Sequence, residues 1–135
     1  MQFREQIQIK ATPEEIFEQY KNVAGWHEWD AEVKASSLEG HFVEGSSGVL
    51  VPQKGPKAAF KLTEVTTNKS FTSQAKLPLC VMAFIHTLEE SEGGTMVTHS
   101  VEFSGLSSFI FSRLIGGPIR KSLPVTLEGL KVACE

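Results

Sequence analysis

The chain has 135 residues, 41% hydrophobic and 21% charged, which excludes a disordered or fibrous protein and suits one domain. Lysine and arginine number 13 against 16 aspartates and glutamates, for a net charge of −3. The basic residues stand singly apart from Arg120-Lys121, so the clustered positive surface that nucleic acid requires is missing.

The first residues alternate polar and apolar, without the apolar run of a signal peptide, and 3–10 reads as a half-buried strand. Thr12-Pro13-Glu14-Glu15 then starts a helix: Thr12 caps, Pro13 suits the first helical position, and Glu15 completes a capping box. Ile16, Phe17, Tyr20 and Val23 follow as one apolar stripe. Ala24-Gly25 interrupts that stripe, and a short turn of helix carries Trp26 and Trp29. From Ala31 the period falls to two. Strands are predicted over 33–39, 48–52, 58–66, 70–77, 79–89 and 95–103, with turns at Gly40, Gly55-Pro56, Asn68-Lys69 and 91–94. The longest apolar stretch, 77–85, contains Pro78 and falls far short of the roughly 20 residues that span a bilayer, so no stable membrane insertion is expected. Two cysteines, Cys80 and Cys134, make neither a disulfide scaffold nor a zinc ribbon and point to a reducing, cytoplasmic setting.

After Gly105 the pattern turns helical, with Leu106, Ile110, Leu114, Leu123, Leu127 and Leu130 along one side. Gly116-Gly117-Pro118 and Pro124 interrupt backbone hydrogen bonding, so this long helix is expected to be kinked or broken. Six consecutive strands on short turns form an antiparallel meander, since parallel neighbours need longer crossovers. The expected fold class is therefore α+β: a curved antiparallel sheet of about seven strands wrapped on the C-terminal helix, with two short helices after the first strand. A curved sheet around a helix leaves a hollow.

At this point the sequence resembles the START-like, helix-grip superfamily called SRPBCC, in its bacterial polyketide cyclase/dehydrase-like branch. The resemblance runs over nearly the whole chain. It rests on Ile9-Lys10-Ala11-Thr12-Pro13-Glu14-Glu15-Ile16-Phe17, on Gly25-Trp26-His27-Glu28-Trp29-Asp30, and on Gly40-His41-Phe42-Val43-Glu44-Gly45. Gly93-Gly94-Thr95-Met96-Val97-Thr98 and Leu127-Glu128-Gly129-Leu130-Lys131 continue it. The resemblance implies a hydrophobic cavity for a lipid, polyketide, sterol or other bulky apolar ligand; it does not imply catalysis, because fold is a poor guide to reaction.

A register argument identifies the lining. With Glu92-Gly93 as the central turn residues, Leu88 faces Val97, His86 faces His99, Phe84 faces Val101 and Met82 faces Phe103. All eight then share one face, apolar except for the histidines, while Thr87, Thr98, Ser100 and Glu102 suit solvent on the other. Two inward imidazoles either hold a ligand oxygen, relay a proton or begin a metal site, or they bond backbone groups and fill space; both readings stand. No Cys-x-x-Cys or clustered carboxylate supplies a third metal ligand, and His27-Glu28 has Ala31 where a zinc-protease helix needs histidine, so neither metal nor cofactor is expected.

Trp26 and Trp29 either form a lip or wall of the cavity or plug the sheet against the first helix, and for Trp29 the second reading is favoured. Phe60, Phe71 and Phe84 are core and lining at once. Residues 109–115 are apolar nearly all round. Ile110 and Leu114 are expected to face the sheet, which leaves Phe109, Phe111 or Ile115 to gate the mouth, pack in a homodimer or touch a membrane. Arg113 either enters the hollow to pair with a ligand carboxylate or phenolate, or lies solvated. Glu64 is the carboxylate placed to point inward. The candidate ligand-binding set is thus Trp26, Phe60, Phe71, Met82, Phe84, His86, His99, Val101, Phe103, Ile110, Arg113 and Leu114, with His86 and His99 the candidate catalytic pair. Three functions remain: a carrier or sensor of a bulky apolar molecule, a cyclase or dehydratase using the histidines, and a protein-partner module. The pattern of few polar groups on an apolar face favours the first.

Overall fold

The computed structural model describes residues 2–135. Alternating side chains lay down β1 (Gln2–Ile9), and α1 (Pro13–Lys21) follows its capping box. The Glu15 amide donates to Thr12 Oγ1 at 3.1 Å, and the Thr12 amide donates to Glu15 Oε1 at 3.1 Å. A 3-10 helix (Val23–Glu28) carries Trp26. The meander comprises β2 (Val33–Leu38), β3 (Ser47–Pro52), β4 (Ala58–Thr66), β5 (Ser70–Leu77), β6 (Cys80–Ser91) and β7 (Gly94–Ser104), and α2 (Ser108–Cys134) closes the chain. The seven strands form one antiparallel sheet in the order β1-β7-β6-β5-β4-β3-β2, so the first strand joins the edge of the last. This is the helix-grip arrangement.

The central hairpin has the expected register. Ser91 pairs with Gly94 across the two-residue turn Glu92-Gly93, where Gly93 takes a left-handed φ of 84° that glycine adopts without strain. His86 accordingly pairs with His99, Phe84 with Val101 and Met82 with Phe103. On the opposite face, Thr98 and Ser100 are buried rather than solvated. Gln6 on the neighbouring β1 lies over Thr98 and donates to its hydroxyl at 3.0 Å. A bulge between Leu62 and Glu64 flips the alternation of β4, so Glu64 does not point inward. Its carboxylate instead accepts from Ser70 at 2.7 Å and Thr72 at 3.3 Å on the outer face.

Helix α2 is continuous through Pro118 and Pro124, so it is not broken. Each proline removes one backbone bond, and buried Leu123, Leu127 and Leu130 hold the helix in place. Its N-terminal stripe differs from the expected one. Ser112 and Gly116 are the buried positions, while half-buried Phe111, Ile115 and Ile119 pack against Cys80, Val101, Phe103 and Leu123. Leu106, Phe109, Ile110 and Leu114 face outward, exposed by 82%, 58%, 46% and 67%. The reason is close approach: a Cβ on Gly116 would lie 2.8 Å from the Phe3 ring, so the inner face here takes small side chains. At the other end, a Cβ on Gly129 would collide with the Trp29 carbonyl.

The core divides in two. One cluster joins α1, the 3-10 helix, Phe60, Phe71, Leu127 and Leu130, and the other joins Cys80, Val101, Phe103 and Leu123 with Phe3 and the start of α2.

Candidate functional site

Between the sheet and α2 lies a hollow of two adjoining lobes, of about 290 Å3 and about 280 Å3. They share Asp30, Leu50, Pro52, Phe84, His86, His99 and Thr126. The first lobe continues toward Trp26, Phe60, Phe71, Ala75 and Met82, and the second runs under Pro118, Ile119, Ser122 and Leu123 of α2. A wider depression beside Trp29, Val125 and Val132 is a shallow surface dent.

The walls of the first lobe are aromatic and mutually braced. Trp26 stacks on Phe60 at 5.6 Å between centroids, and its indole N–H donates to the Tyr20 carbonyl at 3.0 Å. His86 stacks on Phe71 at 3.9 Å with the rings 5° from parallel. Its Nδ1 lies 3.2 Å from the Phe71 carbonyl, and because a carbonyl oxygen only accepts, Nδ1 carries the proton. His99 stands edge-on to His86, centroids 4.6 Å apart, with its Nε2 2.8 Å from the hydroxyl of fully buried Tyr20. Burial lowers the pKa of His86 to about 4. It drives that of His99 well down too, with His86 adding to the effect. Both imidazoles are therefore neutral at physiological pH. Desolvation raises the Tyr20 phenol well above its ordinary range, so it stays protonated.

Asp30 is the acidic group shared by the two lobes, and Glu32 borders the second. The Asp30 Oδ1 accepts from the Glu32 amide at 3.0 Å and from the Thr126 hydroxyl at 3.2 Å, while burial raises the Asp30 pKa above the usual carboxylate value. Among the described residues, Trp29 Nε1 is the buried side-chain polar atom without a partner. No group of three or more His, Cys, Asp and Glu able to hold a metal stands together among them either.

Of the sequence-derived candidates, Trp26, Phe60, Phe71, Met82, Phe84, His86 and His99 line the hollow. Val101 and Phe103 share their face but belong to the second core cluster, covered by Phe3 and α2. Ile110, Arg113 and Leu114 do not enter it: all three are exposed, because Ser112 and Gly116 take the inward positions. Trp29 both plugs the core and lines the first lobe. Tyr20, Asp30 and Thr126 escaped the sequence reading. Tyr20 sits in an apolar stripe, where only the polar tip of the chain's one tyrosine hints at a partner. Asp30 stands in the segment 25–30 that carries the family resemblance but with no sign of an inward side chain, and Thr126 carries no pattern at all.

A family description, polyketide cyclase/dehydrase and lipid transport, matches residues 1–135. The chain belongs to that family. Among solved structures it is similar to the di-domain ARO/CYC StfQ of the steffimycin biosynthetic pathway, with TM-score 0.80 and 8% identity over 98% of this chain and 50% of that one. It is similar to protein MLL2253 from Mesorhizobium loti, with TM-score 0.78 and 18% identity over 97% and 94% of the two chains. It is also similar to the Aha1 dimer from Colwellia psychrerythraea, with TM-score 0.73 and 23% identity over 100% and 96%. Identities this low show the shared fold alone. A comparison with curated proteins finds no match. Among the described residues, no helix is long and apolar enough to cross a membrane.

Proposed function

We propose that this member of the polyketide cyclase/dehydrase and lipid transport family binds a bulky hydrophobic molecule, of lipid, polyketide or aromatic type, in the cytoplasm. The observation that carries the reading is a partly open hollow walled by Trp26, Phe60, Phe71, Met82 and Phe84 with few polar groups, the usual make-up of a small-molecule site. Gentle purification followed by solvent extraction and mass spectrometry tests it, with a co-purifying apolar compound as the expected result. The Ala75→Phe variant, which fills the first lobe, should fold normally and lose the compound. Equal retention by both proteins would refute the reading.

Turnover of the cyclase or dehydratase type is a second reading, favoured by two neutral imidazoles and a carboxyl of raised pKa that line the same hollow. Replacing both histidines with glutamine then abolishes conversion while leaving most of the ligand affinity. Self-association is a third, favoured by the outer row Leu106, Phe109, Ile110 and Leu114 and by a structural neighbour that is a dimer. Sedimentation showing a dimer that Ile110→Glu dissociates supports it; a monomer at all concentrations dismisses it.

A further inference from the structure

We infer that the ligand presents a neutral hydroxyl, on a ring-bearing apolar body, to His86 and His99, which hold that one oxygen as donor and acceptor together. The inference rests on the cavity reading above and adds the chemical class of the ligand.

The two imidazoles are not interchangeable. His86 spends its Nδ1 proton on the Phe71 carbonyl, so its Nε2 carries a lone pair. For His99 the choice is made by Tyr20. That phenol is wholly buried, and the His99 ring is its one side-chain hydrogen-bond partner. Were His99 Nε2 to donate, the phenolic proton would have no acceptor, and a buried unpaired donor is costly. Tyr20 therefore donates to Nε2, and the proton of His99 sits on Nδ1. Among the described residues, neither His86 Nε2 nor His99 Nδ1 has a protein partner, and neither is among the sealed polar atoms of the interior. Both residues line both lobes of the hollow. The open valences are thus one acceptor and one donor, on adjacent strands and on rings 4.6 Å apart.

A hydroxyl satisfies both at once: it donates to His86 Nε2 and accepts from His99 Nδ1–H. Water does the same, so a ligand hydroxyl displaces it without losing a hydrogen bond, whereas an ether or ketone forfeits the donation to His86. A carboxylate or phenolate would turn its charge on the His86 lone pair. The stacked walls formed by Trp26 with Phe60 and by Phe71 with His86 favour a ring behind the hydroxyl.

Two experiments decide. Ring-nitrogen NMR of the histidine-labelled protein at neutral pH should show both His86 and His99 protonated on Nδ1; a proton on His99 Nε2 overturns the inference. Calorimetric titration with naphthalene, 2-methoxynaphthalene, 2-naphthoate and 2-naphthol should show the last binding about tenfold more tightly than each of the others. In His86→Phe, which keeps a ring against Phe71, the advantage of 2-naphthol over 2-methoxynaphthalene should disappear while naphthalene still binds. Equal affinities in the unaltered protein, or tightest binding of 2-naphthoate, overturn the hydroxyl assignment and leave cavity binding standing. Failure of all four compounds to bind counts against the cavity reading and the assignment together.

Discussion

The two halves of α2 solve different packing problems. Its C-terminal half buries Leu123, Leu127 and Leu130 and passes so near the 3-10 helix that only glycine fits at position 129. Its N-terminal half approaches the sheet through Ser112 and Gly116 and turns Phe109, Ile110 and Leu114 outward. Close contact through small side chains leaves no space beneath the helix start, where Phe3, Val101 and Phe103 fill the interior. The hollow opens further along, under residues 118–126. Continuous helix therefore does not mean continuous cover. One segment seals the sheet, and the next roofs a site.

That contrast can be broken by substitution. Leu127→Ala removes a side chain that is 1% exposed and should cost about 3 to 4 kcal/mol in chemical denaturation. A loss below about 1 kcal/mol would show that this half is not core.

Acid should act on the roofed half as well. His86 has a folded pKa of about 4 against an ordinary 6.5, so the unfolded chain takes up a proton that the folded chain refuses. Stability is then full above pH 6.5 and falls as pH drops toward 4, by roughly 3 kcal/mol from this residue, with His99 shifted in the same direction. Asp30 acts oppositely, because its raised pKa favours the folded state on protonation. Denaturation midpoints that stay flat over this window, in the wild type and in His86→Phe alike, would contradict buried neutral imidazoles.

Gly129→Ala should cost about 2 kcal/mol, since backbone lies on both sides of the collision and neither can yield cheaply. The smallest effect is expected at Leu114→Lys, within about 0.5 kcal/mol in a monomer, because that side chain already faces solvent. A large loss there would place the outer row inside an assembly.

The strands and the site's floor were legible because they depend on local rules. Alternation and the Glu92-Gly93 turn were enough to pair His86 with His99. The start of α1 followed from Thr12, Pro13 and Glu15 alone. The roof was less legible. Apolar spacing placed Ile110 and Leu114 inward, but the helix approaches β1 so closely that Ser112 and Gly116 fit there and leucine does not. Hydrophobicity says nothing about distance between elements. Glu64 was misplaced by a bulge that no turn residue announces, and Asp30 entered the hollow through tertiary packing with Thr126.

The most direct test of the binding hollow is a heteronuclear NMR titration with 2-naphthol. Saturable shifts at Phe71, Phe84, His86 and His99, with Ile110 and Leu114 unmoved, are the predicted result. Shifts confined to the outer row of α2, or no saturable shift at all, would contradict it.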